Sequence, residues 1–281
     1  MKNKEIFSLH AAVMLFGLAG VIGKFVGLPA IFITFARAFF SAVFLLIVML
    51  IKKENILLNS RNDYCLIGLA GVIMAIHWFT FLQAIEMATV AVGTITFSTF
   101  PLFVTFLEPF FYKEKLKLKN IIVAIVMLLG ILITIPEFSL KNQMTSAIVI
   151  GMIGSLSYAL LCLINRYFSK SYDGKTICLY EQGVAAFVLL PSLFIVKINL
   201  TIVDFLALVF LGIVCTAIAH SIYISSLKKI KVHTASIISG MESVYSIVLA
   251  LILLHEMPSM KEVFGGSIVL MTAFYASLID K

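Results

Sequence analysis

The chain has 281 residues, of which 62% are hydrophobic and only 12% are charged, and its mean hydropathy is +1.11. This composition excludes an ordinary soluble domain and predicts a protein with several membrane-spanning segments in a lipid bilayer. The net charge of +7 would suggest a nucleic-acid partner for a soluble chain, but here the basic residues stand in short runs between apolar segments, where they orient helices. We therefore predict no nucleic-acid partner.

Ten apolar segments follow one another along the chain, each about 20 residues long, which is the length of a helix that crosses a bilayer. The first follows two lysines, as in a signal peptide, but it lacks a convincing cleavage site and is predicted to be an uncleaved span. The runs are continuously apolar and too long for the strands of an outer-membrane barrel. The predicted fold class is thus an all-α membrane protein of ten transmembrane helices, spans 1 to 10, at residues 7–26, 31–51, 63–84, 89–111, 119–136, 144–166, 175–196, 203–225, 233–254 and 261–279.

The orientation of these spans follows from the basic residues, which concentrate on the cytoplasmic side of membrane proteins. With the N-terminus inside, 16 of the 21 lysines and arginines lie in cytoplasmic segments and three lie in outer loops. The remaining two, Lys24 and Arg37, lie within or at the edge of spans. Both termini are therefore predicted to be cytoplasmic, in a multi-pass membrane protein.

The sequence matches itself weakly at an offset of 142 residues, which places Lys24 over Arg166, Pro101 over Ser243 and Glu114 over Glu256. Each half then contains five spans, and an odd number makes the second half inverted relative to the first. We predict two inverted five-helix repeats, residues 1–140 and 141–281. Inverted repeats allow secondary transporters to alternate access to a midplane site.

The segments that repeat also carry a family resemblance. They are "LFGLAGVIGK" in span 1, Arg37 in span 2, "FLQAIEMATVAVGTITFSTFPLF" across spans 3 and 4, and "YISSLKKIKVHTASIISGMESVYSIVLALILLHEMPSMKEVFGGSIVLM" across spans 8 to 10. In these segments the chain resembles the drug/metabolite transporter superfamily, in its bacterial EamA-type ten-helix branch. The resemblance implies a central cavity lined mainly by spans 1, 3, 4, 6, 8 and 9, with spans 5 and 10 as scaffold or as a homodimer contact.

Two positions depart from the family pattern. Ser243 replaces the proline expected in span 9, so that the kink expected there should be absent or milder. Phe16 stands where a tryptophan is frequent in span 1, which changes the aromatic contacts that the family would imply.

Glu242 is the main candidate for a functional residue, because a carboxylate in the middle of a span costs roughly 3 kcal/mol or more. Three roles stay open for it. It could pair with a buried base, either Lys24 or Arg37; it could bind the amino group of a zwitterionic substrate; or it could carry a proton.

The other candidates are basic, aromatic or hydroxyl-bearing side chains within the spans. Arg37 lies deeper than Lys24 and is predicted either to bind a substrate carboxylate or to pair with Glu181, its counterpart in span 7, whereas Lys24 can reach the interface. The serines on the helical faces of spans 4 and 9 could instead form a packing seam, and Glu114 and Glu256 are predicted to be structural. The remaining candidates for substrate contact or coupling are His77, Trp78, Tyr158, His220, Tyr245, Ser98 and Ser239.

The sequence carries no sign of an enzyme. It contains no H-E-x-x-H, rhomboid G-x-S-G or Walker A motif, and its aspartates fall in loops or at span ends. Its four cysteines form no C-x-x-C pair, so we predict no metal and no cofactor. We predict a gradient-driven transporter of a small polar metabolite, with amino-acid export favoured and protons as possible coupling ions. A non-transporting helical module and a uniporter for nucleosides, vitamins or drugs are the alternatives.

Overall fold

The computed structural model describes residues 2–112, 118–134, 142–227 and 232–279, and the secondary structure in these ranges is entirely helical. The hydrocarbon of a bilayer offers no water to backbone N–H and C=O groups, and a helix satisfies them within one segment. The helices are α1 (Lys2–Val26), α2 (Ala30–Ile51), α3 (Arg61–Met87), α4 (Val90–Phe97), α5 (Phe100–Tyr112), α6 (Leu118–Thr134), α7 (Gln143–Phe168), α8 (Gly174–Leu189), α9 (Ser192–Ile195), α10 (Ile202–Gly212), a π-helical turn (Ile213–Ile218), α11 (Ala219–Leu227), α12 (Val232–Leu253) and α13 (Met260–Ile279).

Seven helical stretches of the described residues are long and apolar enough to cross a membrane, and they coincide with predicted spans 1 to 4 and 6 to 8. Two shorter apolar helices, Ile121–Thr134 and Ile238–Leu253, fall in predicted spans 5 and 9. Helix α13 falls in predicted span 10. The described helices therefore agree in position with the predicted segments, whereas ten crossings and their orientation stay predictions.

Span 4 is broken into two helices, α4 and α5, close to Pro101. Hydroxyl groups from other helices donate hydrogen bonds to backbone carbonyls beside this break. Ser243 of α12 donates to the carbonyl of Thr94 at 2.7 Å, and Ser155 of α7 donates to the carbonyl of Phe97 at 3.1 Å. In the second half, where Ser243 takes the place of the proline, α12 runs without interruption, so the expectation of an absent or milder kink is confirmed.

Span 8 contains a π-helical turn that the sequence did not predict. The hydroxyl of Thr216 donates to the carbonyl of Leu211, five residues earlier, at 2.8 Å. Just before this turn Gly212 lies against α2, where an added Cβ would stand 2.6 Å from the Cβ of Phe40 and 3.1 Å from the carbonyl oxygen of Arg37. The turn and the glycine together bring span 8 close to the middle of α2.

The helices pack in pairs that join the two halves of the chain. Helix α3 packs against α7, and the pair related to it by the repeat consists of α1 and span 8. Helix α1 packs against α12, which corresponds to α7 against α4 and α5; α2 packs against α8, and α6 packs against α13. This reciprocal pattern is the one that two structurally related halves would produce.

Gly71 tests a close contact between α3 and α8. An added Cβ would lie 2.5 Å from the Cβ of Val184 and 2.8 Å from the carbonyl oxygen of Glu181, whereas Gly68, one turn away, has nothing within 4 Å. We expect Gly71→Ala to lower the free energy of unfolding by roughly 1 to 3 kcal/mol through overpacking, and Gly68→Ala to leave it unchanged or slightly raised. Thermal unfolding of the purified protein in detergent measures both, and equal midpoints would contradict the close packing.

Candidate functional site: a central cavity

A narrow cavity lies at the centre of the helix bundle. Helices from both halves line it, and they include every span that the family resemblance implied as well as α2. Six of the predicted site residues lie in its wall. The lining residues are Phe16, Ala19, Arg37, His77, Trp78, Phe81, Phe97, Tyr158, His220 and Glu242.

Arg37 enters the cavity from α2 and is almost completely buried. Its Nε donates to the hydroxyl of Thr216 in the π-helical turn at 3.1 Å. The carbon of its guanidinium group lies 4.1 Å from the centre of the Trp78 ring, a cation–π geometry. These two contacts fix the direction of the guanidinium group while leaving other N–H donors for a bound anion.

Glu242 enters the same cavity from α12 and is also buried. No salt bridge of the described residues joins it to Arg37, and Lys24, the other base considered, bonds elsewhere. The structure therefore does not show the pairing of Glu242 with a buried base that was one of its three predicted roles. A positive and a negative group face one cavity without direct contact.

Aromatic rings form most of the remaining wall. His77 lies between Phe97 and Tyr158, with ring centres 5.3 Å and 4.8 Å away. His220 packs against Phe16 at 4.3 Å and against Trp78 at 5.3 Å. The Nδ1 atom of His77 lies 3.0 Å from the carbonyl oxygen of Gly154, so that this nitrogen carries the hydrogen. Phe16, which replaces the frequent tryptophan, is thus still a wall residue.

Four predicted site residues lie outside the cavity wall and connect helices instead. Ser98 contacts Ser243 across spans 4 and 9, with 2.5 Å between the hydroxyl oxygens. Ser239 lies 3.0 Å from the hydroxyl of Tyr223, and the Tyr245 hydroxyl lies 2.9 Å from Nδ1 of His10. These contacts support the packing-seam alternative for the serines, and direct substrate contact by Ser98, Ser239 and Tyr245 stays a prediction. The fourth residue, Lys24, belongs to a polar group at one end of the bundle.

Polar contacts connect the helix ends above and below the cavity. At the end where α1 and α3 finish, Lys24 pairs with Glu256 at 3.0 Å and donates to the carbonyl of Ala88 at 2.8 Å. Glu256 also accepts from the backbone N–H of Val90 at 2.6 Å, which confirms its structural role, whereas Glu114 lies outside the described residues. At the opposite end Lys175 pairs with Glu54.

The predicted pair of Arg37 and Glu181 is wrong. Glu181 is completely buried in α8, and neither of its carboxylate oxygens has a hydrogen-bond partner among the described residues. Arg37 is directed instead toward Thr216 and Trp78.

Sequence reasoning did not name Phe81, Phe97 or Ala19 as wall residues. Phe81 follows His77 by four positions, so helical periodicity could have placed both side chains on the same face of span 3. Phe97 is the last residue of α4, and its position depends on the break in span 4. Ala19 gives no chemical signal that distinguishes it from the many other alanines of the spans.

Long apolar helices around a buried cavity define a multi-pass membrane protein. The EamA-like transporter family matches residues 3–135 and again residues 145–278, so the chain belongs to this family. The structure resembles a solved structure over 99% of this chain and 97% of the other, with a TM-score of 0.71 at 16% identity, which shows a shared fold.

Two curated relatives have similar sequence identity to this chain but different names. An uncharacterized transporter of Archaeoglobus fulgidus is 23% identical over 96% of this chain and 94% of its own length. An S-adenosylmethionine uptake transporter of Rickettsia conorii is 24% identical over 93% of this chain and 88% of its own length.

The contact between Lys24 and Glu256 can be tested by charge reversal. We expect Lys24→Glu to lower the free energy of unfolding by about 1 to 3 kcal/mol, because it places two carboxylates together in a partly buried site. Lys24→Glu combined with Glu256→Lys should recover part of this loss. Thermal unfolding of the native protein, Lys24→Glu, Glu256→Lys and the double variant gives the coupling energy, and additive effects would contradict a direct pair.

Proposed function

We propose that this protein is a gradient-driven secondary transporter that moves a small zwitterionic metabolite, an amino acid or a related compound, through the central cavity. The observation that carries this proposal is the presence of Arg37 and Glu242 in one cavity wall without a salt bridge between them. A substrate with one anionic and one cationic group would bind both. Buried charges are costly when they have no partner, so such a substrate would gain much of its binding free energy there.

The aromatic wall supports the same substrate class. Trp78, Phe16 and Tyr158 surround the space beside the two charges, and aromatic rings attract ammonium and sulfonium groups through cation–π interactions. S-adenosylmethionine carries an amino-acid group and a sulfonium group. Because the Rickettsia relative is named as its uptake transporter, we include this compound among the ligands to be tested. In this proposal Glu242 binds the cationic group and Arg37 binds the carboxylate.

Alternating access supplies the mechanism. We propose ten transmembrane helices in two inverted repeats, residues 1–140 and 141–281, with both termini on the cytoplasmic side of a bacterial inner membrane. The reciprocal helix pairs support the repeats. Rocking of one half against the other would break the polar contacts at one end of the bundle at a time, and so open the cavity to one side.

A homodimer through spans 5 and 10 is a further part of the proposal.

The direction of transport has two candidates. Export is the direction predicted for this branch of the superfamily, whereas the Rickettsia relatives are named uptake transporters. Counterflow in proteoliposomes with a defined orientation distinguishes these directions. A protein that binds no metabolite and exchanges none would instead support the alternative of a non-transporting helical module.

A ligand screen tests the substrate class. We expect amino acids or S-adenosylmethionine to raise the unfolding temperature of the purified protein, because a ligand at 100 times its Kd stabilises the folded state by about 2.7 kcal/mol. Glu242→Gln should abolish the shift while leaving the unliganded protein folded. Glu54→Gln, at the far end of the bundle, is the matched control and should keep the shift. Sugars or nucleosides as the only hits would contradict a zwitterionic substrate.

The orientation of the substrate can be tested with the best ligand of that screen and its methyl ester. Arg37→Gln should weaken binding of the free acid about tenfold or more, because it removes a charge-assisted hydrogen bond, and should have little effect on the ester. Glu242→Gln should weaken both ligands, since both keep the cationic group. Equal loss of acid and ester in Arg37→Gln would contradict the proposed orientation.

A further inference from the structure

A second buried carboxyl group lies outside the central cavity. Glu181 of α8 has no exposed surface, and both of its carboxylate oxygens lack a hydrogen-bond partner among the described residues. The amide of Asn165, from α7, is its polar neighbour, and the amide oxygen of Asn165 is likewise buried without a partner in the described part of the chain. A carboxyl group and an amide therefore lie side by side with unused acceptors.

No salt bridge joins this carboxyl group to a positive side chain in the part of the chain that the structure describes. The titratable groups near Glu181 are the thiols of Cys178, on its own helix, and Cys162, on α7. Ser221 of α11 lies against Cys178. Gly71 of α3 lies against the backbone of Glu181. From α2, Ser41 bonds to Gln182, while Arg37 is directed away toward Thr216. An ionised Glu181 would be a buried and unpaired negative charge among these groups.

A proton added to Glu181 removes this buried negative charge. A neutral carboxylic acid has an O–H that can donate to the amide oxygen of Asn165, so both groups gain a partner. Sodium ions would require several oxygen ligands in addition, whereas a proton needs only one acceptor beside the carboxyl group.

The position of Glu181 between the two halves of the chain makes it sensitive to their motion. Its helix α8 packs against α2 and α3, which belong to the first half. The carbonyl oxygen of Glu181 would lie 2.8 Å from a Cβ at Gly71, so the backbones touch at this residue. Rocking of one half against the other would therefore change the surroundings of the carboxyl group directly.

A line of polar side chains leads from Glu181 to the substrate cavity. Tyr158, Cys162 and Asn165 follow one another at spacings of four and three residues, which places them on one face of α7. Tyr158 lines the cavity, and Cys162 neighbours both Tyr158 and Glu181. The residue that lines the cavity and the residues beside Glu181 thus lie on the same face of α7.

We propose that Glu181 is a proton-binding site, distinct from the substrate site at Glu242, through which a proton gradient drives transport. The proposal rests on the proposed transport function. The carboxylate takes up one proton from the water on the side where the proton concentration is higher, becomes a neutral carboxylic acid bonded to Asn165, and releases the same proton to the other side after the two halves have moved. No covalent bond other than O–H forms or breaks.

The test is infrared spectroscopy of the purified protein in lipid during a pH titration, with the proton as the only probe. We expect the carbonyl band of a buried, protonated carboxylic acid that decreases as the pH rises. Glu181→Gln should lose this band, and the control Glu242→Gln should keep it. Asn165→Ala leaves the carboxyl group in place and should shift the pH at which the band disappears, so the test does not depend on one variant that has to fold.

Three results would overturn the proposal: no such band in the native protein, a band that persists unchanged in Glu181→Gln, or a band that sodium ions abolish at constant pH. Because the experiment needs no substrate, its outcome is independent of the substrate site. Loss of ligand binding in Glu242→Gln with no Glu181 band would retain the proposed function and reject this inference. A Glu181 band with unchanged ligand binding in Glu242→Gln would retain the proton site and reject the proposed substrate site.

Discussion

The structure depends on one constraint, which is that backbone polar groups inside a hydrocarbon layer must find their partners within the protein. Continuous helices meet this requirement by themselves, and most spans are continuous. Span 4 is interrupted near its middle, between Phe97 and Phe100, whereas span 7 is interrupted only near its end, after Leu189. The carbonyl of Phe97, which cannot accept from Pro101, accepts from Ser155 of span 6. The carbonyl of Thr94 accepts from Ser243 of span 9 in addition to the backbone N–H of Ser98. Helices of the second half therefore supply hydroxyl groups at the break.

Charged side chains divide into two groups under the same constraint. Near the helix ends, where water is close, Lys24 pairs with Glu256 and Lys175 pairs with Glu54. Deep in the bundle, Arg37, Glu242 and Glu181 have no salt bridge among the described residues. Charges that serve only stability would be expected to pair with one another, since an isolated buried charge is costly. In the proposed function, these deep ionisable groups find their partners in the substrate and in a proton.

The sequence predicts the helical fold well because the signals behind it are local. The length of each apolar run predicts where a helix lies. Ser243 in place of a proline predicts that α12 is uninterrupted. The site is harder, because a cavity wall depends on how distant helices approach each other. Hydropathy and spacing identified Glu242 and Arg37, but no local pattern shows that Tyr245 is directed to His10 or that Ser98 meets Ser243. The π-helical turn at Thr216 depends on the close contact of Gly212 with α2, which is likewise a tertiary effect.

The two halves have related packing but unequal chemistry, and this difference gives the cavity a direction. The repeat alignment places Phe100 of the first half opposite Glu242 of the second. Phe100 is buried against Phe97 and Tyr158, with ring centres 5.3 Å and 5.0 Å away, and so extends the aromatic side of the bundle. Glu242 instead presents a carboxyl group to the cavity. A symmetric pair of sites would accept a substrate in two orientations, whereas in the proposed function a carboxyl group on one half and a guanidinium group on the other select one. Under that proposal the repeats supply the motion, and their differences supply the selectivity.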